Sequence, residues 1–355
     1  MVISCSFHAP ASTVWAQSFC AFFVGAILQA LLALVILLVP TSRRLQAGVI
    51  SAVMCAAAPF MARPWLQEQG TTPVAWFIIS SVGMNGFFKS LEAANGLFPC
   101  GSGGLQAQLG CFLAVPQERW AEGKKVKAAP GETQRQLRAF GGRLVSISLV
   151  YSFVLSTSFP YGESWANWLI GCYAELWAVY LFLALLGDAG RLNSLLQGVS
   201  PEDIFLRPLI ATRSFHEMWG TRWNLVVHSY LKGLVYRPLR RRGVSATVAA
   251  LASFVASGLL HEYTFALHNA SAYTFGKALL FFVSMGALMT AEQLVPYAAP
   301  EALQRAWAQV PAPLPAIALA LLSCIPLDPF YLRSWRESGM LDSIGQVVPV
   351  IMCEL

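Results

Sequence analysis

The sequence predicts an all-α polytopic membrane protein with about eight transmembrane helices and additional interfacial or re-entrant helices. Hydrophobic residues make up 56% of the 355-residue chain and charged residues only 12%, about half the charged share of a typical soluble domain. Several apolar windows are longer than about 18 residues, the length that crosses the hydrocarbon core of a bilayer. We therefore interpret residues 1–355 as a single membrane-embedded unit.

The long apolar runs define the predicted spans. They cover residues 14–39, 47–62, 72–88, 144–160, 165–187, 245–267, 273–294 and 312–331. No basic region precedes the first run, which is too long for the apolar core of a signal peptide. It is therefore predicted to be a retained first span.

The basic residues predict the orientation of the chain. The net charge of +6 could suggest nucleic acid, but Lys and Arg lie in the gaps between apolar runs, so no nucleic-acid partner is expected. Segment 89–143 contains eight Lys and Arg residues, and segment 188–243 contains nine. The positive-inside rule predicts that both segments are cytosolic and that the N-terminus is lumenal.

Segment 188–243 is too polar to span a membrane, yet it mixes aromatic, basic and apolar residues. This mixture predicts cytosolic, interfacial or re-entrant helices packed against the membrane-embedded bundle. An ordinary amphipathic loop helix is the alternative interpretation.

The cysteines and the HE pair give no metal-binding pattern. The eight cysteines show neither a CxxC pair nor the spacing of metal ligands, so they are predicted to be free thiols or packing residues. His261 and Glu262 would open an HExxH zinc motif only if residue 265 were histidine, and it is Phe265. No metal is expected.

His261 is the first candidate for chemistry, because it lies within the apolar run 245–267 beside Glu262. Small residues allow close helix packing, so the face that carries them is predicted to point into the protein. An ionisable residue that faces the bundle within a span is a functional candidate. The alternative is an interfacial histidine near a helix end, with Glu262 reaching the lumenal surface. The small residues before His261 are Ala246, Ala249, Ala250, Ser253, Ala256 and Ser257.

The stretch from Ser214 to Gly243 is the second candidate. Trp219 and Trp223 are suited to a membrane interface, and Asn224 beside them is a neutral donor and acceptor. Pro238 is predicted to break any helix before the basic run that follows. Taken alone, this pattern is also typical of a membrane-surface anchor. Its basic residues suit phosphate groups and are Arg222, Lys232, Arg237, Arg240, Arg241 and Arg242.

The two stretches together resemble a known family. "FHEMWGTRWN" followed by "FVASGLLHEYTF" is similar to the wax synthase branch of the membrane-bound O-acyltransferases, which carries an FWG-x-RWN-like block and then an apolar helix ending in SGL-x-HE. The resemblance covers residues 214–265, whereas the first 200 residues match in hydropathy only. Met218 departs from the pattern, since the family more often has an aromatic residue there.

The resemblance implies roles for individual residues. His261 corresponds to the catalytic histidine and Asn224 to its partner in the polar block. Trp219, Arg222 and Trp223 would shape the site, and Glu262, Ser257 and Gly258 would support it. The candidate contacts to coenzyme A phosphates are Arg237, Arg240, Arg241 and Arg242.

The activity that the resemblance implies is acyl transfer in the membrane of the endoplasmic reticulum. Acyl-CoA would be the co-substrate, no cofactor would be required, and a long-chain alcohol would be converted to a wax ester. Such transfer needs a base for the hydroxyl proton and a donor for the oxyanion. Because the chain has no GxSxG nucleophile motif, direct transfer to the alcohol is expected.

The sequence is also compatible with other functions. Within the family, the acceptor could be a sterol, a diacylglycerol or a terpenoid, or the donor could be acetyl-CoA. A membrane transporter is the alternative from another class, but we find no inverted repeat of the kind that transporters carry. The oligomeric state is left open.

Overall fold

The computed structural model describes residues 4–101, 103–115, 118–156, 164–268, 273–293, 300–311 and 313–354, and most of them are helical. The predicted all-helical, multi-pass class is confirmed. The helices of the first half are α1 (Ser12–Leu38), α2 (Arg44–Glu68), α3 (Pro73–Ala94), α4 (Leu105–Leu113), α5 (Glu132–Val154) and α6 (Trp165–Leu196).

The second half contains short helices, long helices and π-helical turns. Its helices are α7 (Pro208–Ala211), α8 (Phe215–Glu217), α9 (Leu225–Leu231), α10 (Arg237–Arg241), α11 (Ala246–His268), α12 (Lys277–Glu292), α13 (Glu301–Gln309), α14 (Pro313–Leu327), α15 (Arg333–Glu337) and α16 (Met340–Gly345). The π-helical turns are Met218–Arg222 after α8, Lys232–Tyr236 between α9 and α10, and Asp328–Leu332 between α14 and α15.

Within the described part of the chain, seven helical segments are long and apolar enough to cross a membrane. They are Ser12–Leu38, Thr41–Glu68, Pro73–Ala94, Glu132–Val154, Trp165–Leu196, Ala246–His268 and Pro313–Glu337. The span predicted over 273–294 corresponds to α12, whose 16 residues reach only about 24 Å. Parts of three predicted spans, namely residues 157–160, 294 and 312, lie outside the described residues.

Two strands join residues that are distant in sequence. Strand β1 (Ser4–His8) pairs antiparallel with β4 (Val350–Glu354), and the pairing places Cys5 opposite Cys353. These two cysteines form a disulfide, so the prediction of free thiols is wrong for this pair. Cysteine spacing in the sequence could not reveal it, because the two cysteines are 348 positions apart and meet only when the chain returns to the same place.

This strand pair also constrains the topology of the membrane-embedded part. Because residues 4–8 and 350–354 meet, they lie on the same side of the membrane, and the chain between them crosses it an even number of times. If all seven long helices cross, one further crossing is required. Helix α12 is the apolar helix whose position in the chain suits this extra crossing. Counting it as a span gives eight crossings, the number predicted from the sequence.

The helices extend further into the two basic segments than predicted. Helix α5 begins at Glu132 and α6 continues to Leu196, so the ends of segments 89–143 and 188–243 are helical. Asp188 explains the difference, because its buried carboxylate accepts bonds from Arg143 (2.6 Å) and Gln136 (2.8 Å). A paired carboxylate can remain inside a packed helix. The small hairpin of β2 (Trp120–Ala121) and β3 (Lys124–Lys125) lies between α4 and α5.

Two prolines lie within continuous helical segments, although Pro238 was predicted to break any helix. The chain stays helical through Pro238, which lies near the start of α10 directly after a π-helical turn. It likewise continues through Asp328 and Pro329 to Glu337, beyond residue 331, the predicted end of the last span. Proline lacks an N–H and its ring clashes with the preceding turn, and a wider π turn accommodates both effects.

Candidate active site

A cavity of about 460 Å³ lies where α6, the 214–243 segment, α11, α12 and α14 meet. Its volume is within the range of roughly 300–1,000 Å³ typical of ligand pockets. His261 and Asn224 both line it, as do Trp219, Trp223 and Ser257. The structure therefore brings the two predicted catalytic residues into one cavity, although they are 37 positions apart in the sequence.

The ring of His261 is held in one tautomer by its own helix. Nδ1 lies 2.8 Å from the backbone oxygen of Ser257, and a carbonyl oxygen only accepts hydrogen bonds. In the neutral ring, Nδ1 therefore carries the hydrogen and Nε2 has the free lone pair. Phe282 stacks on the ring at a centroid distance of 4.3 Å, and Tyr331 contacts it at 5.6 Å. This arrangement gives the cavity a fixed, unprotonated imidazole nitrogen.

Asn224 has an uncommon backbone conformation. Its φ of 39° lies in the left-handed region, which asparagine tolerates better than most residues with a side chain. Its side-chain Oδ1 accepts from the backbone N–H of Val227 at 3.4 Å and caps the start of α9. Because the oxygen is used in capping, the group that Asn224 offers to a ligand is its amide Nδ2, a hydrogen-bond donor.

Trp219 and Trp223 form a series of aromatic contacts between the turn that carries Asn224 and the ring that stacks on His261. Their ring centroids lie 5.4 Å apart, and Trp219 also contacts Phe282, the ring that stacks on His261, at 6.2 Å. On the other side, Trp223 contacts Tyr180 of α6 at 6.0 Å. The aromatic block therefore packs the asparagine-bearing turn against both α6 and α12.

Arg222 holds the MWGTRWN segment (residues 218–224) in place from outside the cavity. Its guanidinium forms an ion pair with Glu217 and donates to the backbone oxygen of Leu206 at 2.8 Å. Arg222 does not line the cavity, so it acts on the site indirectly, by fixing the backbone of residues 218–224. The carboxylate of Glu292 accepts from the N–H groups of Phe215 (2.8 Å) and His216 (3.1 Å), which ties the end of α12 to the same block.

Glu262 is buried, with 1% of its surface exposed, and it supports α12 rather than reaching a membrane surface. Its carboxylate accepts from the backbone N–H groups of Gly276 (2.9 Å) and Leu279 (2.8 Å) at the first turn of α12. A carboxylate at a helix N-terminus satisfies otherwise unpaired N–H groups and interacts favourably with the helix dipole. The alternative of a lumenal surface anchor is therefore wrong.

Gly258 allows the two helices to approach closely. A Cβ atom at this position would lie 2.8 Å from the Cα of Leu279, in the same turn that Glu262 binds. Gly258 does not line the cavity, whereas Ser257 does. Of the predicted supporting residues, Ser257 thus contacts His261 directly, and Gly258 and Glu262 fix the position of α12, which carries Phe282.

Replacing Glu262 by glutamine is expected to destabilise the folded protein by about 1–3 kcal/mol, because an amide offers one acceptor oxygen where the carboxylate offers two. The measurement is thermal unfolding of the detergent-purified protein. Glu337→Gln is the matched control, since Glu337 is half-exposed and lies 3.9 Å from Lys277. Equal melting temperatures for Glu262→Gln and Glu337→Gln would contradict the proposed support of α12.

The basic groups of the cavity differ from those predicted. Lys232, His216 and His228 line it, whereas Arg237, Arg240, Arg241 and Arg242 do not. Burial lowers the pKa of His228, and the nearby positive charge of Lys232 lowers it further. Burial thus disfavours a charge on His228, and Lys232 is the cavity residue with a formal positive charge. Contacts of the four arginines with phosphates remain a prediction.

Each of the three π-helical turns contributes a residue to this cavity. Trp219 comes from the first turn, Lys232 from the second and Tyr331 from the third. π-Helical residues amount to well under about 1% of residues in proteins and occur frequently at functional sites. Their convergence distinguishes this cavity from ordinary packing gaps.

The sequence patterns did not identify the part of the cavity lining that α6 and α14 contribute. Leu176, Val179, Leu183, Leu327 and Tyr331 line the cavity but lie outside the 214–265 stretch. Most are ordinary apolar residues of membrane spans, so nothing in the sequence marks them. Tyr331, close to the Asp-Pro step, and Ser323 of α14 are the lining residues of this wall whose polar groups could have been noticed.

Comparisons with known proteins agree with the residues that form the site. Residues 202–284 match the model of the membrane bound O-acyl transferase family. The chain is similar to three proteins of Arabidopsis thaliana. It is 38% identical over 122 residues to probable long-chain-alcohol O-fatty-acyltransferase 7, covering 32% of this chain and 35% of that protein. It is 29% identical over 208 residues to probable long-chain-alcohol O-fatty-acyltransferase 9, covering 56% and 57%.

The third protein is acyl-CoA–sterol O-acyltransferase 1, with 27% identity over 190 residues that cover 50% of this chain and 53% of that protein. The matched part thus amounts to between about one third and just over half the length of these relatives. The resemblance inferred from the two motifs is confirmed, and the family match includes both His261 and Asn224.

Proposed function

We propose, from the match of residues 202–284 to the model of the membrane bound O-acyl transferase family, that the chain transfers an acyl group from acyl-CoA to a long-chain alcohol. The product would be a wax ester. The observation that carries the proposal is the common cavity of His261 and Asn224, with a free Nε2 on one residue and an amide donor on the other.

The two residues supply what direct acyl transfer needs. His261 Nε2 accepts the proton of the alcohol hydroxyl while the alcohol oxygen forms a bond to the thioester carbonyl carbon. The carbonyl oxygen becomes negatively charged, and the Nδ2 amide of Asn224 donates a hydrogen bond to it. The C–S bond then breaks, and the thiolate of coenzyme A takes the proton from the imidazolium. The ester and free coenzyme A leave, and no covalent acyl-enzyme forms.

The lining of the cavity supports a thioester of coenzyme A as the donor. Lys232 brings a positive charge and His216 and His228 bring further polar groups, which suit phosphates. The remaining walls are mainly leucine, valine, methionine and aromatic side chains, which suit alkyl chains. We place this reaction in the membrane of the endoplasmic reticulum, with the basic segments in the cytosol and residues 4–8 in the lumen.

The sterol acyltransferase among the relatives makes a sterol the second candidate acceptor. A sterol is rigid and broad, whereas a fatty alcohol is narrow and flexible, so the two acceptors place different demands on the same walls. Acceptor competition therefore distinguishes them directly.

The test uses membranes from a host that lacks neutral-lipid synthases and expresses the full chain. Long-chain acyl-CoA and acetyl-CoA are each offered with hexadecanol, a sterol and a diacylglycerol, and the esters are measured by mass spectrometry. We expect wax ester from long-chain acyl-CoA and hexadecanol. If no ester forms with any pair, the proposed function is wrong. If sterol ester predominates, the enzyme class stands and the acceptor is corrected.

A further inference from the structure

The wall of the cavity formed by α6 and α14 lies outside residues 202–284, which match the family model. Leu176, Val179 and Leu183 of α6 line this wall together with Leu327 and Tyr331 of the last span. The polar groups His216, His228 and Lys232 belong instead to the 214–243 segment. If the phosphates of the acyl donor bind at the 214–243 segment, the wall formed by α6 and α14 is left for the second substrate, the acceptor alcohol.

Tyr331 is the residue of this wall that contacts the ring of His261. The two ring centroids are 5.6 Å apart and the rings meet edge to face, at an interplanar angle of 62°. Tyr331 also stacks on Trp335 at 6.0 Å and contacts Phe281 at 5.4 Å and Phe265 at 5.2 Å. These contacts leave the tyrosine ring little freedom to rotate.

The turn that carries Tyr331 is fixed by a charged network behind the wall. Arg336 donates to Glu175 of α6 at 2.6 Å and also forms an ion pair with Asp328. Asp328 in turn accepts from the indole N–H of Trp168 at 2.9 Å. Paired, hydrogen-bonded charges of this kind fix the geometry of the elements that carry them. The network therefore holds the π-helical turn, and with it Tyr331, against α6.

The aromatic contacts of Tyr331 do not account for its hydroxyl group. A phenylalanine ring could make the same aromatic contacts, so packing alone does not require the hydroxyl. The indole N–H of Trp335 donates towards this hydroxyl and cannot accept from it, so the hydroxyl's own proton needs another partner. A hydroxyl proton in an apolar wall is costly unless it is hydrogen-bonded. Because Tyr331 lines the cavity, a bound ligand can accept the proton of this hydroxyl.

Resting on the proposed acyl transfer, we propose that Tyr331 binds the hydroxyl group of the acceptor alcohol. Its phenolic O–H donates to the alcohol oxygen and holds that oxygen at the ring of His261. The alcohol's own proton is then directed to Nε2. As that proton leaves, negative charge grows on the alcohol oxygen and the hydrogen bond from Tyr331 strengthens. Long-chain primary alcohols fit this arrangement, with the alkyl chain along Leu176, Val179 and Leu183.

The test compares Tyr331→Phe with wild type in the full-length protein. Because one hydrogen bond to the substrate is lost, kcat/KM for hexadecanol is expected to fall about tenfold. The KM for acyl-CoA is expected to stay within about twofold of wild type. Tyr263→Phe is the matched control, since the hydroxyl of Tyr263 donates to the backbone oxygen of Ala56 outside the cavity, and it is expected to act as wild type.

A second acceptor separates binding from a structural effect. Hexadecanethiol has the same chain, but sulfur is a weak hydrogen-bond acceptor. If Tyr331 binds the acceptor oxygen, Tyr331→Phe lowers the rate with the alcohol far more than the rate with the thiol. Equal loss with both acceptors, or alcohol kinetics within twofold of wild type, would overturn the inference while leaving acyl transfer intact. A wild-type protein that forms no ester would instead disprove the proposed function.

Discussion

Replacing His261 by alanine is expected to lower ester formation by about 10³-fold, within the range that general bases contribute. The variant loses the imidazole that lines the cavity together with Asn224 and whose Nδ1 contacts the backbone oxygen of Ser257, leaving Nε2 as the base. His261→Gln is expected to lose as much, because its amide can still donate to Ser257 but has no basic nitrogen. The measurement is the initial rate of ester formation per amount of inserted protein.

His268→Ala is the matched control for this prediction. His268 lies on the same helix, and its ring contacts the backbone oxygen of Ser338 instead of the cavity. Its replacement affects packing near the helix end and is expected to leave the rate within a few fold of wild type. A rate for His261→Ala close to that of His268→Ala would remove His261 from the catalytic role.

Replacing Asn224 by aspartate is expected to lower ester formation by about 10²–10³-fold, the effect of losing an oxyanion donor. Aspartate also tolerates the left-handed conformation and caps helices well, so the fold of the block is retained. What changes is the group offered to the cavity, since a carboxylate accepts hydrogen bonds and repels the developing negative charge. The measurement is kcat with saturating acyl-CoA and alcohol.

Two further variants separate donation from capping. Asn224→Gly keeps the backbone conformation and removes the side chain, and it is expected to lose activity as Asn224→Asp does. Ser214→Ala removes another cap of the same block, where Ser214 accepts from the N–H of Glu217 at 2.9 Å outside the cavity. Near-normal activity is expected for Ser214→Ala. If Asn224→Asp were equally active, the asparagine would be a structural cap only.

The sequence could predict much of the site because its motifs report local chemistry. The stripe of small residues before His261 indicated a face that packs inside the protein, and α11 does place His261 against Phe282 and Tyr331. The polar block around Asn224 indicated a second contribution to the same site. The membrane class followed from hydropathy, which depends on composition and needs no knowledge of contacts.

The remaining features depend on contacts between distant segments, which no local pattern records. Glu262 binds the first turn of α12, a partner that could not be inferred from the HE pair. Tyr331 reaches the cavity because a π-helical turn keeps the last span helical through Pro329, where local rules predict an end. Lys232 lines the cavity, whereas the Arg240–Arg242 run does not. Which basic group reaches the cavity depends on how α9 and α10 pack, so charge counts along the sequence cannot distinguish these residues.

The pairing of β1 with β4 has a consequence for how the protein is assembled. Residues 4–8 are synthesised early, but their partners at 350–354 appear only after every intervening helix has been made. The Cys5–Cys353 bond can therefore close only when the last span has been inserted and has returned the chain to the same side. A gel-mobility assay for this bond would report completed assembly independently of activity, and it would separate misfolded variants from inactive ones.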